Sequence, residues 1–535
     1  MIHQSDLYQD EGGVGIINKE ELRPLVPSAG NSNSTKKDDD SDILIIPREV
    51  QLLRLENLAV PACYLVVGIV QGLSGPLLNV YPLDLGATEA AQMTIPVIFQ
   101  FPAAVKILYG FWSDSVPILG ARRKPYMWMG WVLVSCTMML LLGTADLTME
   151  YDDDNDSTDL HRHTPLPPSD APSIEYLSVL FFLLGVGLWL ADVMGDSLVA
   201  EKARIEPDPI KGNLQSSCYA CRFFGMMVAA PCSTVLYSRY GPRSVVMALA
   251  ASPMIVLPLI LCLREKKVIE VKSVRHRIQD IWNTVQSRSV WQPMAFVYIY
   301  NLLQVGNGAW RQFLKSVLFF SESQINYLLI ASYVLLYLGT MAYKQWFLRV
   351  SWRRVYQVCI LLNGVFSGLQ LLLICGQTFG LSPFLFALGD EALAEFVTGV
   401  QFLPVTIMMV ALCPEGSEGA SYALFTTFSN AAILLGPTIS TPLLGIWDVS
   451  KETLEAGELS GFFKLSVLTS LLQLSPIVVL SWLPHSSQDL HELSARPKST
   501  TGGVVFLLIV FGSLLYILVV GTLNIVAPGW SGESR

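Results

Sequence analysis

Charge is what this chain has least of. Its 535 residues include 35 Lys and Arg and 44 Asp and Glu, or 15% charged, where a soluble domain averages about 25%. The 52% hydrophobic fraction is more than cores of ordinary size bury, so a soluble multidomain enzyme is set aside. A formal net charge of −9, with no concentrated basic face, removes nucleic acid from the expected partners. Histidine is absent from the apolar stretches: His3, His161, His163, His276, His485 and His491 all lie outside them. Any proton exchange inside a bilayer would therefore fall to carboxylates. No apolar run follows Met1, so no cleaved secretory signal is expected. The nine cysteines lie in or beside apolar stretches, which argues against a disulfide framework. Cys218 and Cys221 have no second pair or nearby His, and read as helix packing rather than a zinc site. No metal and no cofactor is expected.

Long apolar runs are what the chain has in abundance. Windows of about 20 residues, each enough to cross roughly 30 Å of hydrocarbon as a helix, fall at 57–80, 88–111, 125–145, 176–198, 214–237, 244–263, 291–313, 324–346, 355–376, 382–411, 420–446 and 462–483. A thirteenth, 503–526, follows a polar gap. The runs lack period-2 alternation, and a helix satisfies its own backbone in lipid, so the expectation is an all-α polytopic membrane protein rather than a barrel.

Basic residues collect in alternate connections: Arg122, Arg123 and Lys124; Lys202, Arg204 and Lys211; Arg264 to Arg288; and Arg349, Arg353 and Arg354. The connection near 150–160 is acidic instead, with Asp152, Asp153, Asp154, Asp156 and Asp159. The positive-inside rule then predicts a cytoplasmic N-terminus, and a thirteenth crossing would put Trp530 and Arg535 on the far side. Asn155 in the acidic connection starts an Asn-x-Ser acceptor for glycosylation. The expected divisions are a disordered tail 1–48, a six-helix half 49–263, a basic cytoplasmic linker 264–290, a second six-helix half 291–484, a polar linker 485–502, an extra transmembrane helix 503–526 and a tail 527–535. The tail holds an acidic dileucine-like stretch, Asp40 to Ile45.

After the second window the chain reads Lys106-Ile-Leu-Tyr109-Gly110-Phe-Trp-Ser113-Asp114-Ser-Val-Pro117-Ile-Leu-Gly120-Ala-Arg122-Arg123-Lys124-Pro125-Tyr126. A helix end followed by a Gly/Pro turn puts Asp114 in reach of Arg122 or Arg123. This resembles the gate loop of the major facilitator superfamily, and Arg349 to Arg354 resembles a degenerate copy six helices on. The longer string is similar to the signature of the folate/biopterin transporter family, a major facilitator branch. The stretches Ala191-Asp192-Val-Met-Gly-Asp196 to Arg204, and Gly389-Asp390-Glu391 through Leu403-Pro404 to Cys413-Pro414-Glu415-Gly416 and Asn430, carry the same resemblance. It covers roughly residues 57–484. It implies the major facilitator fold with two six-helix halves, to which the thirteenth window is an addition, and a charge relay of Asp114, Arg122 and Arg123 at the cytoplasmic gate. It also implies a secondary active transporter of folate, biopterin or related pteridines, not an enzyme.

Ionisable residues within the windows are the candidate site, since each costs about 2.5–3.5 kcal/mol to insert unless it faces a cavity or a partner. Asp192 and Asp196 lie four apart on one helix face, with Arg222 on the next helix and Lys106 near the inner end of the second. Asp390, Glu391 and Glu395 form a second acidic group, with Arg311 as the expected counter-ion. These acids are expected to couple protons or to form structural ion pairs. For a pteridine with a glutamate tail, Arg222 or Arg311 is the candidate for the carboxylates, and Gln304, Asn307, Trp310, Tyr298 and Tyr300 for the ring. The Gly306-Asn307-Gly308 run is expected to break the seventh helix. Expected partners are a small organic substrate, protons and the lipid bilayer, with the membrane either the plasma membrane or an endomembrane or plastid one. Oligomeric state, choice of substrate, and symport against exchange are not readable. A carrier of another organic solute, such as S-adenosylmethionine or a sugar, and a non-transporting nutrient sensor stay open.

Overall fold

A computed structural model of the chain describes residues 47–87, 89–144, 171–207, 210–267, 273–413 and 418–527, together with 16–17, 44–45 and 147. Asn155 with its acidic connection, and most of the N-terminal tail, lie outside the described residues. Within the tail, Ile16–Ile17 pairs antiparallel with Leu44–Ile45. Helices occupy all thirteen windows: α1 (Ala59–Leu73), α2 (Glu89–Ala104), α3 (Lys106–Ser115), α4 (Lys124–Thr144), α5 (Ile174–Ala203), α6 (Asn213–Ala251), α7 (Leu257–Cys262), α8 (Val274–Val285), α9 (Arg288–Leu303), α10 (Trp310–Ser316), α11 (Glu322–Ala342), α12 (Trp352–Ile374), α13 (Pro383–Leu412), α14 (Glu418–Leu444), α15 (Ser460–Leu474) and α16 (Thr500–Val526). Among the described residues, ten helical stretches are long and apolar enough to cross a membrane. One of them, Asn213–Cys262, spans two of the windows. It turns at Gly241, where φ of 72° favours glycine and Pro242 follows.

The breaks in the helices are as informative as the runs. Pro102 lacks an N–H for the helix ladder, α2 ends two residues on, and α3 restarts at Lys106. The backbone groups at that break are satisfied from the other half of the chain. Asn430 donates to the Ala103 carbonyl at 2.9 Å, and the Ile107 N–H donates to Thr427 Oγ1 at 3.1 Å. The expected break between α9 and α10 is present, and partners from within the same C-terminal part of the chain satisfy it: Gln473 donates to the Val305 carbonyl and Ser440 to that of Gly306, each at 3.0 Å. Irregular backbone at membrane depth is tolerable only with such internal partners.

Buried side chains form one large cluster centred on the N-terminal helices, including Trp131, Leu184 and Phe181, and reaching α12, α13 and α14 through Cys359, Leu403 and Ala423. A second joins α9, α12, α13 and α14 with α16, through Phe296, Tyr356, Phe425 and Phe506. The closest helix contact positions the site. A Cβ added to Gly68 on α1 would stand 1.9 Å from the Arg222 carbonyl oxygen on α6, so glycine lets the Arg222 backbone press against α1. The extra helix α16 is packed into the bundle. Its Ser513 hydrogen-bonds Tyr298, Phe506 sits 4.5 Å from Phe428, and Asn524 donates to Thr94 on α2 at 3.0 Å.

Replacing Gly68 by Val is expected to destabilise the bundle by at least about 1–3 kcal/mol, the usual cost of overpacking. A lowered thermal unfolding midpoint of the purified protein is the check, and an unchanged midpoint would contradict the close α1–α6 contact.

Candidate functional site

The cation expected on α3 and the one expected on α6 meet the same carboxylate. Restarting the helix at Lys106 sends its ammonium into the N-terminal half, where Nζ stands 2.5 Å from Asp192 Oδ2 and 3.6 Å from Asp196 Oδ2. Arg222 Nη1 reaches Asp192 Oδ1 at 3.2 Å, and its Nε donates to Gln71 at 3.0 Å. Asp196 accepts a hydrogen bond from Tyr64 at 2.5 Å. Lys106, Asp192, Asp196 and Arg222 are all buried. Their formal charges cancel, which is the condition under which buried charge is tolerable.

The N-terminus of α6 is fixed by Glu206, which accepts from the Gly212 N–H at 2.7 Å and the Leu214 N–H at 2.8 Å. Burial pushes the Glu206 carboxyl above its ordinary value, while those backbone donors pull the other way. Gly212 has φ of 90°, so the chain enters the helix through a left-handed residue. Arg222 is thereby set at a fixed height above the end of α6.

Aromatic rings enclose the cluster. Lys106 Nζ lies 4.6 Å and Arg222 Cζ 5.3 Å from the Trp189 ring centroid, so one indole faces both cations. Tyr219 lies 5.8 Å from Arg222 Cζ and packs edge-on against Tyr64 at 5.2 Å and Phe402 of α13 at 4.8 Å. Tyr422 of α14 joins through a hydrogen bond from Gln215 at 2.9 Å. Tyr64, Gln71, Trp189, Gln215, Tyr219, Phe402 and Tyr422 were not among the sequence candidates. Helical spacing carries a signal for most of them. Tyr64 and Gln71 are seven apart, Trp189 precedes Asp192 by three, and Gln215, Tyr219 and Arg222 follow the i, i+4, i+7 pattern of one face.

The C-terminal candidates are less convergent. Asp390 is buried, and Glu391 accepts from Trp310 Nε1 at 3.0 Å. Glu395 is half-buried one turn further along α13. Arg311 is not their counter-ion: it is exposed and forms no ion pair among the described residues, because the α9–α10 break turns Trp310 rather than Arg311 toward α13. Asn307 is occupied in holding that break, donating to Ser466 at 2.7 Å and accepting from the Ala309 N–H at 3.0 Å. Gln304 caps the end of α9. Tyr298 and Tyr300 are taken up by packing, the first against Ser513 of α16 and the second hydrogen-bonded to Gln401 of α13.

The gate-loop residues meet as expected. Arg123 Nη2 stands 2.6 Å from Asp114 and 3.0 Å from Glu201, while Arg122 is further off at 3.9 Å and 3.8 Å from the same two carboxylates. Asp114 also accepts the Ala420 N–H at 2.9 Å, an unpaired donor in the first turn of α14. Arg204 reaches Glu418 at 3.0 Å. A Cβ on Gly110 would come within 2.6 Å of the Gly419 carbonyl oxygen, so the basic ends of α3 and α14 touch backbone to backbone. The two halves are locked together at this basic face.

The BT1 family model matches residues 68–150 and 166–501. A folate-biopterin transporter of Synechocystis is 24% identical over 447 residues, covering 82% of this chain and 84% of its own length. A probable folate-biopterin transporter of Arabidopsis thaliana is 24% identical over 507 residues, 89% of this chain and 94% of the relative. A putative folate transporter of Plasmodium berghei is 22% identical over 442 residues, with coverages of 81% and 91%. Among solved structures, a major facilitator superfamily proton:xylose symporter superposes with a TM-score of 0.57 at 14% identity, covering 82% of this chain and 98% of that one. The human organic anion transporter MFSD10 gives 0.55 at 15% identity, with coverages of 81% and 100%. The fold is therefore that of the major facilitator superfamily.

Replacing Lys106 by Met is expected to destabilise the protein by about 3–5 kcal/mol, because two buried carboxylates then share one cation. Adding Asp196→Asn should recover most of that loss, since the Arg222–Asp192 pair remains. Thermal unfolding of the single and double variants checks this; equal loss in both would contradict the charge balance.

Proposed function

The chain belongs to the BT1 family and is a multi-pass membrane transporter, and on that premise we propose that it moves folate, biopterin or a related pteridine by proton-coupled alternating access. The observation that carries this reading is the buried, charge-balanced cluster of Lys106, Asp192, Arg222 and Asp196 beside the Trp189 indole. A pteridine offers a flat ring suited to Trp189 and Tyr219, and folate adds carboxylates suited to Arg222 and Lys106. The Synechocystis and Plasmodium relatives bear folate in their names, which favours this class over a sugar or S-adenosylmethionine.

Charge conservation gives the coupling a physical form. Two cations and two carboxylates leave the cluster neutral, so an incoming carboxylate that engages Arg222 competes with Asp192 and adds a negative charge. Uptake of one proton by Asp192 or Asp196 restores neutrality and lowers the cost of burying the anion. Asp390, Glu391 and Glu395 are a second proton-accepting group on α13, with Trp310 as its polar partner. The pairs at Asp114 and Glu418 close one end of the bundle, which we assign to the cytoplasmic side because Lys and Arg collect there. On this reading residues 49–263 and 291–484 rock as two halves joined by 264–290, and 503–526 is a thirteenth crossing.

Labelled folate and biopterin offered to proteoliposomes should accumulate faster when the outside is more acidic, and a protonophore should abolish the gain. Uptake indifferent to the gradient would remove the coupling, and a substrate panel in which neither pterin competes would remove the pteridine.

A further inference from the structure

Where α16 passes α2 and α5, the three helices face one another without filling the space between them. A trough of about 310 Å³ remains, walled by Val97 and Phe101 of α2, Val179 and Phe182 of α5, and Leu518 and Gly521 of α16. Each wall is one helix face, its residues three or four apart. The hydroxyls of the lining are turned away: Ser178 donates to the Ile174 carbonyl at 2.7 Å and Thr522 to that of Leu518 at 2.8 Å. Each is spent on its own helix, so the walls present hydrocarbon. Gly521 leaves room in the middle, since a Cβ there would meet only Thr94 Cγ2, at 3.7 Å. Asn524, which donates to Thr94 at 3.0 Å, holds α16 to α2 beside the trough.

The trough lies toward the end of the bundle opposite the basic face. Glu175 at its mouth and Glu201 of the lock stand on the same continuous helix, α5, about 39 Å apart along the axis. That is more than the roughly 30 Å of a hydrocarbon layer, so Glu175 falls at headgroup level. All three walls belong to helices of membrane-spanning length and composition, and Val179, Phe182 and Leu518 are exposed. The trough therefore opens to the bilayer. Glu175 is itself exposed, and among the described residues it forms no ion pair. The acidic connection before α5 does not suit this place, because Asp152, Asp153, Asp154, Asp156 and Asp159 share the charge of Glu175 and bring no hydrocarbon.

We propose that the trough binds a phospholipid with a primary ammonium headgroup, that is, a phosphatidylethanolamine, with one acyl chain along the three walls and the ammonium at Glu175. Its volume of about 310 Å³ is at the small end of ligand sites, which span roughly 300–1,000 Å³. It runs about 13 Å along α16, from Ile517 to Val526, the shape of a chain rather than of a whole lipid. Walls without free donors accept hydrocarbon and give water no partners. A primary ammonium donates charge-assisted hydrogen bonds to a carboxylate; choline has no N–H to donate, and a headgroup of net negative charge is repelled. The bound chain joins α16 to α5, the helix that carries Asp192 and Asp196, while Tyr298 and Phe428 already hold α16 to the second half. Bound lipid thus ties the extra helix to both halves. The site is separate from the Lys106–Arg222 cluster and does not depend on which substrate that cluster takes.

The test uses the full-length protein in detergent and follows its thermal unfolding midpoint as dioleoyl phosphatidylethanolamine, phosphatidylcholine or phosphatidylglycerol is titrated in. Phosphatidylethanolamine is expected to raise the midpoint saturably, with the highest apparent affinity of the set. Glu175→Gln should lower that affinity about threefold, toward the phosphatidylcholine value, as suits an exposed charge. Gly521→Leu and Val179→Trp, which fill the trough from two of its walls, should each lower it about tenfold. Leu508→Trp, at an exposed position of α16 outside the trough, should leave it unchanged. A response to phosphatidylethanolamine no stronger than to either other lipid, or one that persists in folded protein carrying either trough-filling change, overturns the proposal. A midpoint that follows protein concentration instead of lipid assigns the trough to a second copy of the chain and overturns it as well.

Discussion

Lys106 and Arg222 approach Asp192 from two different helices, and most of the N-terminal half is arranged to make that meeting possible. Neither cation would be tolerable at membrane depth alone, and neither would Asp192 or Asp196. Together they form a neutral group whose members hold α3, α5 and α6 in one register. The Trp189 ring beneath both cations adds attraction without adding charge.

Backbone irregularity serves the same end. Pro102 interrupts the second membrane segment where Lys106 must turn inward, and Thr427 and Asn430 from the opposite half satisfy the groups it frees. Gly68 allows α1 to lie against Arg222. The lock at Asp114 uses another helix terminus, drawing α14 onto the gate loop through the Ala420 N–H. Two polar contacts between the halves, at Thr427 and Asn430, thus lie near the level of the charge cluster, and others close the basic face.

Much of this was legible in the sequence because membrane helices announce themselves by length and by the absence of charge. Ten described helical stretches are long and apolar enough to cross a membrane, and the Gly306–Gly308 break fell where glycine permits it. The pairing of Arg222 with Asp192, and of Arg123 with Asp114, followed from helix spacing and loop length. Arg311 did not follow, since a broken helix loses the phase that would place a side chain on a chosen face. Tyr298, a candidate for the ring, meets Ser513, a contact the sequence does not show because an apolar thirteenth window gives no sign of where its helix docks. The uncharged partners Tyr64, Gln71 and Tyr422 escaped notice because a polar residue in an apolar helix is less conspicuous than a charged one.

Whether the cluster handles substrate is the central claim, and the two arginines that the sequence offers for the substrate's carboxylates, Arg222 and Arg311, separate it from the alternative. Initial rates of labelled folate uptake into proteoliposomes, compared for Arg222→Gln and Arg311→Gln after matching the amount of folded protein, give the most direct measurement. The account predicts near-complete loss for Arg222→Gln and close to normal uptake for Arg311→Gln. The opposite pattern would contradict it.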